Sequence, residues 1–180
     1  MGKAAFQLFL LVLTLGLAGV GEPVRGEDLA RIKAAYLYHF VNFTQWPQDV
    51  GVSTEDAVRL CLLGAGSVDA QLQRMDVVEL GLNSKPRLVR VRKEELPDSC
   101  QVVFVGEAAD VETEALLARL RGAPLLSVSD QPEFARRGGM IEMFLRDDKV
   151  RMRVNLNAVR AAGIHLSSKL LRLAEIVEAP

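Results

Sequence analysis

The stretch from Gly138 to Asn155 reads GGMIEMFLRDDKVRMRVN and predicts two β-strands that fold back on a turn at Asp147-Asp148. In strands, successive side chains point to opposite faces, so the turn fixes which residues share a face. Three apolar pairs then share one face: Leu145 with Val150, Met143 with Met152, and Ile141 with Val154. A four-residue loop through Arg146–Lys149 would keep the same register.

The opposite face of this hairpin carries charged and aromatic side chains. Glu142 lies opposite Arg153, and Phe144 lies opposite Arg151. These pairs predict an ionic contact and a cation–π contact, each worth ~0.2–1 kcal/mol across strands.

The N-terminus has the composition of a secretory signal peptide within residues 1–26. Lys3 is the only charged residue before Glu22, and an apolar run rich in leucine follows it. Small residues near its end would suit cleavage before Glu22 or before Glu27. The alternative is an uncleaved membrane anchor, although the apolar run is short for one.

The remaining chain, residues 27–180, has the length expected of a single domain. Removal of the leader leaves two more acidic than basic residues with either cleavage site. Because nucleic-acid binding needs a clustered basic surface, this charge balance argues against a nucleic-acid partner.

The sequence contains two cysteines, Cys61 and Cys100. In an exported protein an even pair favours a disulfide, and two buried thiols are the alternative. Neither cysteine has a cysteine or histidine partner at ligand spacing, so no metal site is expected.

Helical and strand patterns alternate along most of the chain. Helices are expected at 28–46, 67–75, 110–121, 157–162 and 167–177, and strands at 57–63, 86–91, 100–105 and 125–128. In the first helix, the predicted buried stripe consists of Leu29, Ile32, Tyr36, Phe40 and Phe43, and Ala34, Leu37 and Val41 broaden it. The side chains of Ser67, Asp110, Asn157 and Ser167 are expected to cap the later helices.

This order predicts an α/β fold, a three-layer sandwich. Its sheet is mixed and mostly parallel, the C-terminal hairpin forms an antiparallel edge, and helices cover both faces.

One loop has the order of a phosphate-binding site. Gly64-Ala65-Gly66-Ser67 lies between a strand and a helix. Asp69 stands where a dinucleotide fingerprint requires its third glycine, and no Lys-Ser or Lys-Thr pair follows. A tight turn without a ligand is therefore the favoured interpretation, and no cofactor is expected.

Catalytic signatures are weak. His39 and His165 have no suitable carboxylate partner nearby in sequence, and Asp147 and Asp148 lie at an exposed hairpin tip. Four arginines, Arg136, Arg137, Arg151 and Arg153, could bind an anionic ligand or an acidic partner, or could form a solvated face. The sequence therefore predicts no enzyme and no catalytic residue.

The chain resembles the YfiR-like periplasmic proteins over nearly its whole mature length. The resemblance lies in Tyr36–Phe40 with Trp46-Pro47, in Leu60–Gly64, in Cys100 before Val102–Val105, in Gly138–Ile141, in Val154–Leu156 and in Leu166–Ala174. It implies a non-enzymatic periplasmic regulator with an α/β sandwich fold.

Members of this group resemble repressors that bind the periplasmic region of an inner-membrane diguanylate cyclase and so lower cyclic-di-GMP output. The resemblance implies a homodimer, and an outer-membrane lipoprotein as a second partner. Cys61 and Cys100 match the positions of a disulfide in that group, whereas a second pair that some relatives carry near 135–142 is absent. The alternative is a periplasmic small-molecule sensor that acts through the Gly64–Ser67 turn and feeds a membrane receptor.

Overall fold

A computed structural model describes residues 24–47, 57–82, 85–92 and 99–179. The predicted leader falls largely outside these residues and stays a prediction. The helices are α1 (Val24–Asn42), α2 (Ser67–Arg74), α3 (Thr113–Leu120), α4 (Leu156–Ala161) and α5 (Ser168–Leu171). The strands are β1 (Thr44–Gln45), β2 (Arg59–Leu63), β3 (Arg87–Arg90), β4 (Val102–Val105), β5 (Leu126–Ser129), β6 (Ile141–Arg146), β7 (Lys149–Asn155), β8 (His165–Leu166) and β9 (Ala174–Val177).

Seven of these strands form one sheet in the order β3-β2-β4-β5-β6-β7-β9. The first five strands are parallel to one another, β7 runs antiparallel to β6, and β9 is parallel to β7. The two shortest strands, β1 and β8, form a separate antiparallel pair. The predicted α/β fold, with its mixed and mostly parallel sheet, is confirmed.

The predicted hairpin register is confirmed at every pair of β6 and β7. Asp147 and Asp148 both have positive φ, at 51° and 57°. Two consecutive residues with positive φ make the two-residue turn whose twist matches the flanking strands. The alternative four-residue loop is therefore not formed.

Alternating side chains give the sheet two apolar faces. Leu60 and Leu62 of β2 belong to the core under α1 and α2, whereas Cys61 and Leu63 pack with α3 on the other face. This alternation places helices on both sides of the sheet and produces the three layers.

The first helix buries Phe40 and the predicted flanking residues Ala34, Leu37 and Val41, so its buried face is centred on the flank of the predicted stripe. Its most buried residues are Ala30, Ala34, Leu37, Tyr38, Phe40 and Val41. Of the predicted stripe, Phe40 is buried, whereas Ile32 is 43% exposed. The small residues Ala30 and Ala34 lie on the buried face, and Leu29, Tyr36 and Phe43 of the predicted stripe are partly buried against the core.

Three predicted helix caps are wrong. The N-cap positions are Gly66 at α2 and Glu112 at α3, instead of the predicted Ser67 and Asp110, and no side chain caps either helix. Asn155, rather than Asn157, caps α4 by accepting from two backbone N–H groups. The cap at Ser167 is confirmed, because its hydroxyl accepts from the N–H of Leu170.

The predicted last helix is also wrong beyond Leu171. α5 is a single turn, and the chain then extends into β9, which pairs with β7. Leu173, which a continuing helix would place on the same face as the buried Leu170, is 71% exposed. The hairpin therefore lies next to the edge of the sheet, and β9 forms the edge itself.

Candidate functional site

Cys61 and Cys100 are joined by a disulfide, with 5.9 Å between their Cα atoms. Cys61 lies in β2, and Cys100 lies two residues before the neighbouring strand β4. Both are buried against the α3 face of the sheet. The bond therefore ties the start of one central strand to the middle of another and has a structural position, away from any opening.

The Gly64–Ser67 turn lines a crevice at the carboxyl ends of β2, β4 and β5. The chain crosses from β2 to β3 on one side, and β4 lies on the other side of β2, so this is the switch point where open α/β sheets bind ligands. The crevice holds about 370 Å³ and is covered by the first turns of α1.

Backbone packing explains the glycines of this crevice. A Cβ at Gly106 would overlap the carbonyl oxygen of Gly64, and one at Gly64 would overlap Ala109. The polar groups are also engaged: Lys33 Nζ lies 2.6 Å from Asp130 Oδ2, and the N–H of Glu107 donates to Asp130 Oδ1. These contacts agree with the prediction of a tight turn.

The four predicted arginines do not form one cluster. Arg136 pairs with Glu133, and Arg137 donates to Glu114, which lowers the pKa of that carboxyl. Arg151 is exposed on β7. These four residues therefore do not come together as an anion site, which was one of the two possibilities for them.

The prediction that Arg153 lies on an outward, solvated face of the hairpin is wrong. Its guanidinium is buried and lies 2.7 Å from the carboxylate of Glu142, which is itself buried. Arg153 also lies over the ring of Phe144, 4.5 Å from its centroid, so the cation–π contact is made by Arg153 and by Arg146 rather than by Arg151.

The carboxylate of Glu142 also organises the loop before the hairpin. It accepts hydrogen bonds from the N–H groups of Glu133 and Ala135. In the same loop, a Cβ at Gly139 would overlap the ring of the buried Phe134. Because its polar atoms face the protein, this cluster holds the loop in place and offers no opening for a ligand.

An apolar groove on the α1 side of the sheet is the feature that the sequence did not reveal. It holds about 310 Å³. It is lined by Tyr36, His39, Phe40, Phe43, Met152, Lys169, Leu170 and Leu173.

The walls of this groove come from three elements that are far apart in the sequence. Tyr36, His39 and Phe43 follow one another at helical spacing along α1 and its end, and the His39 ring stacks on Phe43 with 5.9 Å between centroids. Met152 of β7 lies beneath them, and α5 supplies the opposite wall.

Exposed apolar side chains border the groove. Leu173 lines it directly, and Ile32 lies one helical turn before Tyr36 on the same face of α1. Ile176 of the edge strand is 44% exposed. A concave apolar site with exposed apolar side chains is typical of a surface that binds a protein partner.

The candidate catalytic residues remain separate. His39 stacks in the groove, His165 is exposed in β8, and the aspartates of the turn are exposed. The described residues hold no group of three or more His, Cys, Asp or Glu side chains arranged to bind a metal ion.

None of the helices in the described part of the chain combines the length and hydrophobicity that a membrane span requires.

Comparison with known proteins places this architecture. A family model described as YfiR/HmsC-like matches residues 30–175. Among solved structures, the chain is similar to a conserved domain protein from Vibrio cholerae O1 biovar eltor, with a TM-score of 0.53 and 7% sequence identity. That match covers 82% of this chain and 59% of the other, and at this identity it shows the fold alone.

Proposed function

Because this chain belongs to the YfiR/HmsC-like family of periplasmic regulators in cyclic-di-GMP signalling, we propose that it represses an inner-membrane diguanylate cyclase. In this proposal the exported protein binds the periplasmic region of the cyclase and lowers cyclic-di-GMP output. A homodimer and an outer-membrane lipoprotein partner belong to the same proposal.

The apolar groove is the observation that carries this proposal. Leu173 is 71% exposed at its rim, and a large apolar side chain held in water is costly unless a partner covers it. Binding energy at protein interfaces is concentrated in a few apolar or aromatic anchors that enter such pockets. The groove therefore gives the partner a specific place to bind.

Repression by binding requires no chemistry at the groove. A regulator shifts a two-state partner toward its inactive state by the difference between its affinities for the two states. A hundredfold preference corresponds to about 2.7 kcal/mol, which a single buried anchor can supply. The family is regulatory and non-catalytic.

Affinity capture from solubilised inner membranes tests this proposal. The bait is the exported protein, and the matched variants are Leu173→Asp in the groove and Val78→Asp in the turn after α2, where the side chain is 75% exposed. We expect the wild type and Val78→Asp to retain a diguanylate cyclase and Leu173→Asp to lose it. Capture that is equal for all three, or absent for the wild type, would contradict the proposal.

The crevice at the switch point favours a second candidate function, a small-molecule sensor. Its position matches that of ligand sites in open α/β sheets. A thermal-shift screen of periplasmic metabolites tests it, with Ser67→Trp as the variant that fills the mouth of the crevice. A compound that raises the melting temperature of the wild type alone would favour this role, and the absence of any such compound would remove it.

A further inference from the structure

We infer that the groove recognises an acidic amphipathic segment of its partner, in which an apolar side chain enters the groove and a neighbouring carboxylate meets its basic rim. This inference rests on the proposed function, because it specifies the partner chemistry at the same site.

The charge at the groove is positive. Lys169 is the one charged side chain among the described residues that line it. Arg172 lies three residues further on, so both cations lie on the same side of this short helical segment. No carboxylate belongs to the described lining, and no carboxylate lies within ion-pair distance of either cation in the described part of the chain.

Several other cations of the described chain are already paired within the protein. Lys33, Arg137 and Arg153 each pair with a carboxylate of the same chain. Lys169 in the groove lining, and Arg172 three residues after it, are therefore available to a carboxylate from another molecule. Since complementary charge around an apolar anchor gives specificity and speeds association, an acidic partner segment fits this rim best.

The shape of the groove favours a peptide over a lipid surface. A concave site of about 310 Å³ can enclose side chains, whereas a membrane meets a convex or flat face. Segments that bind anionic lipids through charge carry clusters of about 4–8 basic residues, and this rim has two cations. The exposed face of α1 that continues from the groove, with Ile32 on it, lengthens the apolar surface in the direction that a bound helix could follow.

Selection from a displayed library of random short peptides tests the inference. Peptides are selected on the folded wild-type protein and removed if they also bind Leu173→Asp. We expect the enriched peptides to carry Leu, Phe or Trp within one helical turn of Asp or Glu. Enrichment without an acidic residue, or no enrichment at all, would overturn the inference.

Matched synthetic peptides then measure the effect of charge. Replacing the acidic residues of an enriched peptide by lysine should weaken its binding to the wild type roughly threefold to tenfold at low salt, and less at high salt. Lys169→Glu should reverse this preference, whereas Arg87→Glu, at the opposite edge of the sheet, should preserve it. Equal affinities of the two peptides for the wild type would contradict the inference.

Two further results separate this inference from the proposed function. If the membrane capture depends on Leu173 and the peptides show no acidic preference, the proposed function holds and the inference fails. If phosphatidylglycerol vesicles bind the wild type but not Leu173→Asp, and the peptides do not bind, the groove recognises lipid and the inference is wrong.

Discussion

Tyr38 lies fully buried between α1 and α2, and its hydroxyl donates a hydrogen bond to the carbonyl oxygen of Leu72 over 2.5 Å. Burial raises the pKa of this phenol from 10.0 to about 12, because the ionised form is poorly solvated there. The Tyr38 hydroxyl therefore links the two helices by a hydrogen bond that it can donate only while it is protonated.

The first prediction concerns alkaline stability. Between pH 10 and 12 the unfolded chain releases the Tyr38 proton and the folded chain retains it, so this contribution to stability falls as the pH rises. The loss is on the order of 2–3 kcal/mol. Urea denaturation of the wild type and Tyr38→Phe should show a shallower alkaline decline for the variant. Identical pH profiles would contradict the assignment.

The second prediction concerns the buried ion pair. Glu142→Ala leaves the guanidinium of Arg153 buried with its closest carboxylate removed and frees two loop N–H groups. Stability should fall by about 3–5 kcal/mol in chemical denaturation. Glu133→Ala, whose carboxylate is about half exposed, is the control and should cost less than ~1 kcal/mol. Similar losses for the two variants would show that the buried pair is not what matters.

At the scale of elements, the sequence predicts the hairpin well and the first helix less well. In β7 apolar and polar residues alternate strictly, and a shift of one residue would put Met143 and Met152 on the wrong face. In α1 the apolar residues surround much of the helix, so spacing alone cannot decide between the face of Ala30 and Ala34 and that of Ile32.

The C-terminal element shows a different limit. Leu170, Leu173 and Val177 have helical spacing, yet the residues from Ala174 onward pair with β7. Sheet pairing with a distant strand outweighs a weak local pattern, and a single sequence does not contain that tertiary information. The burial of Glu142 and Arg153 was missed for the same reason, because the loop that covers them is not apparent in strand periodicity.

The third prediction tests the two faces of the hairpin. Met143→Asp places a charge in the core, where the native side chain is 1% exposed, and should unfold the protein or cost more than ~4 kcal/mol. Arg151→Ala removes an exposed side chain and should change stability by less than ~0.5 kcal/mol. Circular dichroism melting compares the two, and equal melting temperatures would contradict the face assignment.

At the scale of the whole molecule, the disulfide was predictable from the even number of cysteines and the expected export. The groove was not predictable. Its walls come from α1, β7 and α5, which meet through tertiary packing alone. The sequence signal that could have indicated it is the pair Leu170 and Leu173 opposite an aromatic-rich helix. The turn at Gly64–Ser67 was predictable, because a glycine-rich turn between a strand and a helix is a local feature of the sequence.

The fourth prediction concerns the disulfide. Cys61 and Cys100 close a loop with a sequence separation of 39 residues, so replacing both by alanine should lower stability by about 4 kcal/mol on the chain-entropy model. Guanidinium denaturation of the oxidised wild type and the double variant measures the difference. Equal stabilities would show that the bond does not constrain the unfolded chain.

The most direct measurement is cellular cyclic-di-GMP in a deletion strain that carries the wild-type gene, Leu173→Asp or Val78→Asp at equal periplasmic levels. We expect deletion to raise cyclic-di-GMP, the wild type and Val78→Asp to restore the low level, and Leu173→Asp to leave it high. An unchanged level on deletion, or full restoration by Leu173→Asp, would contradict repression through the groove.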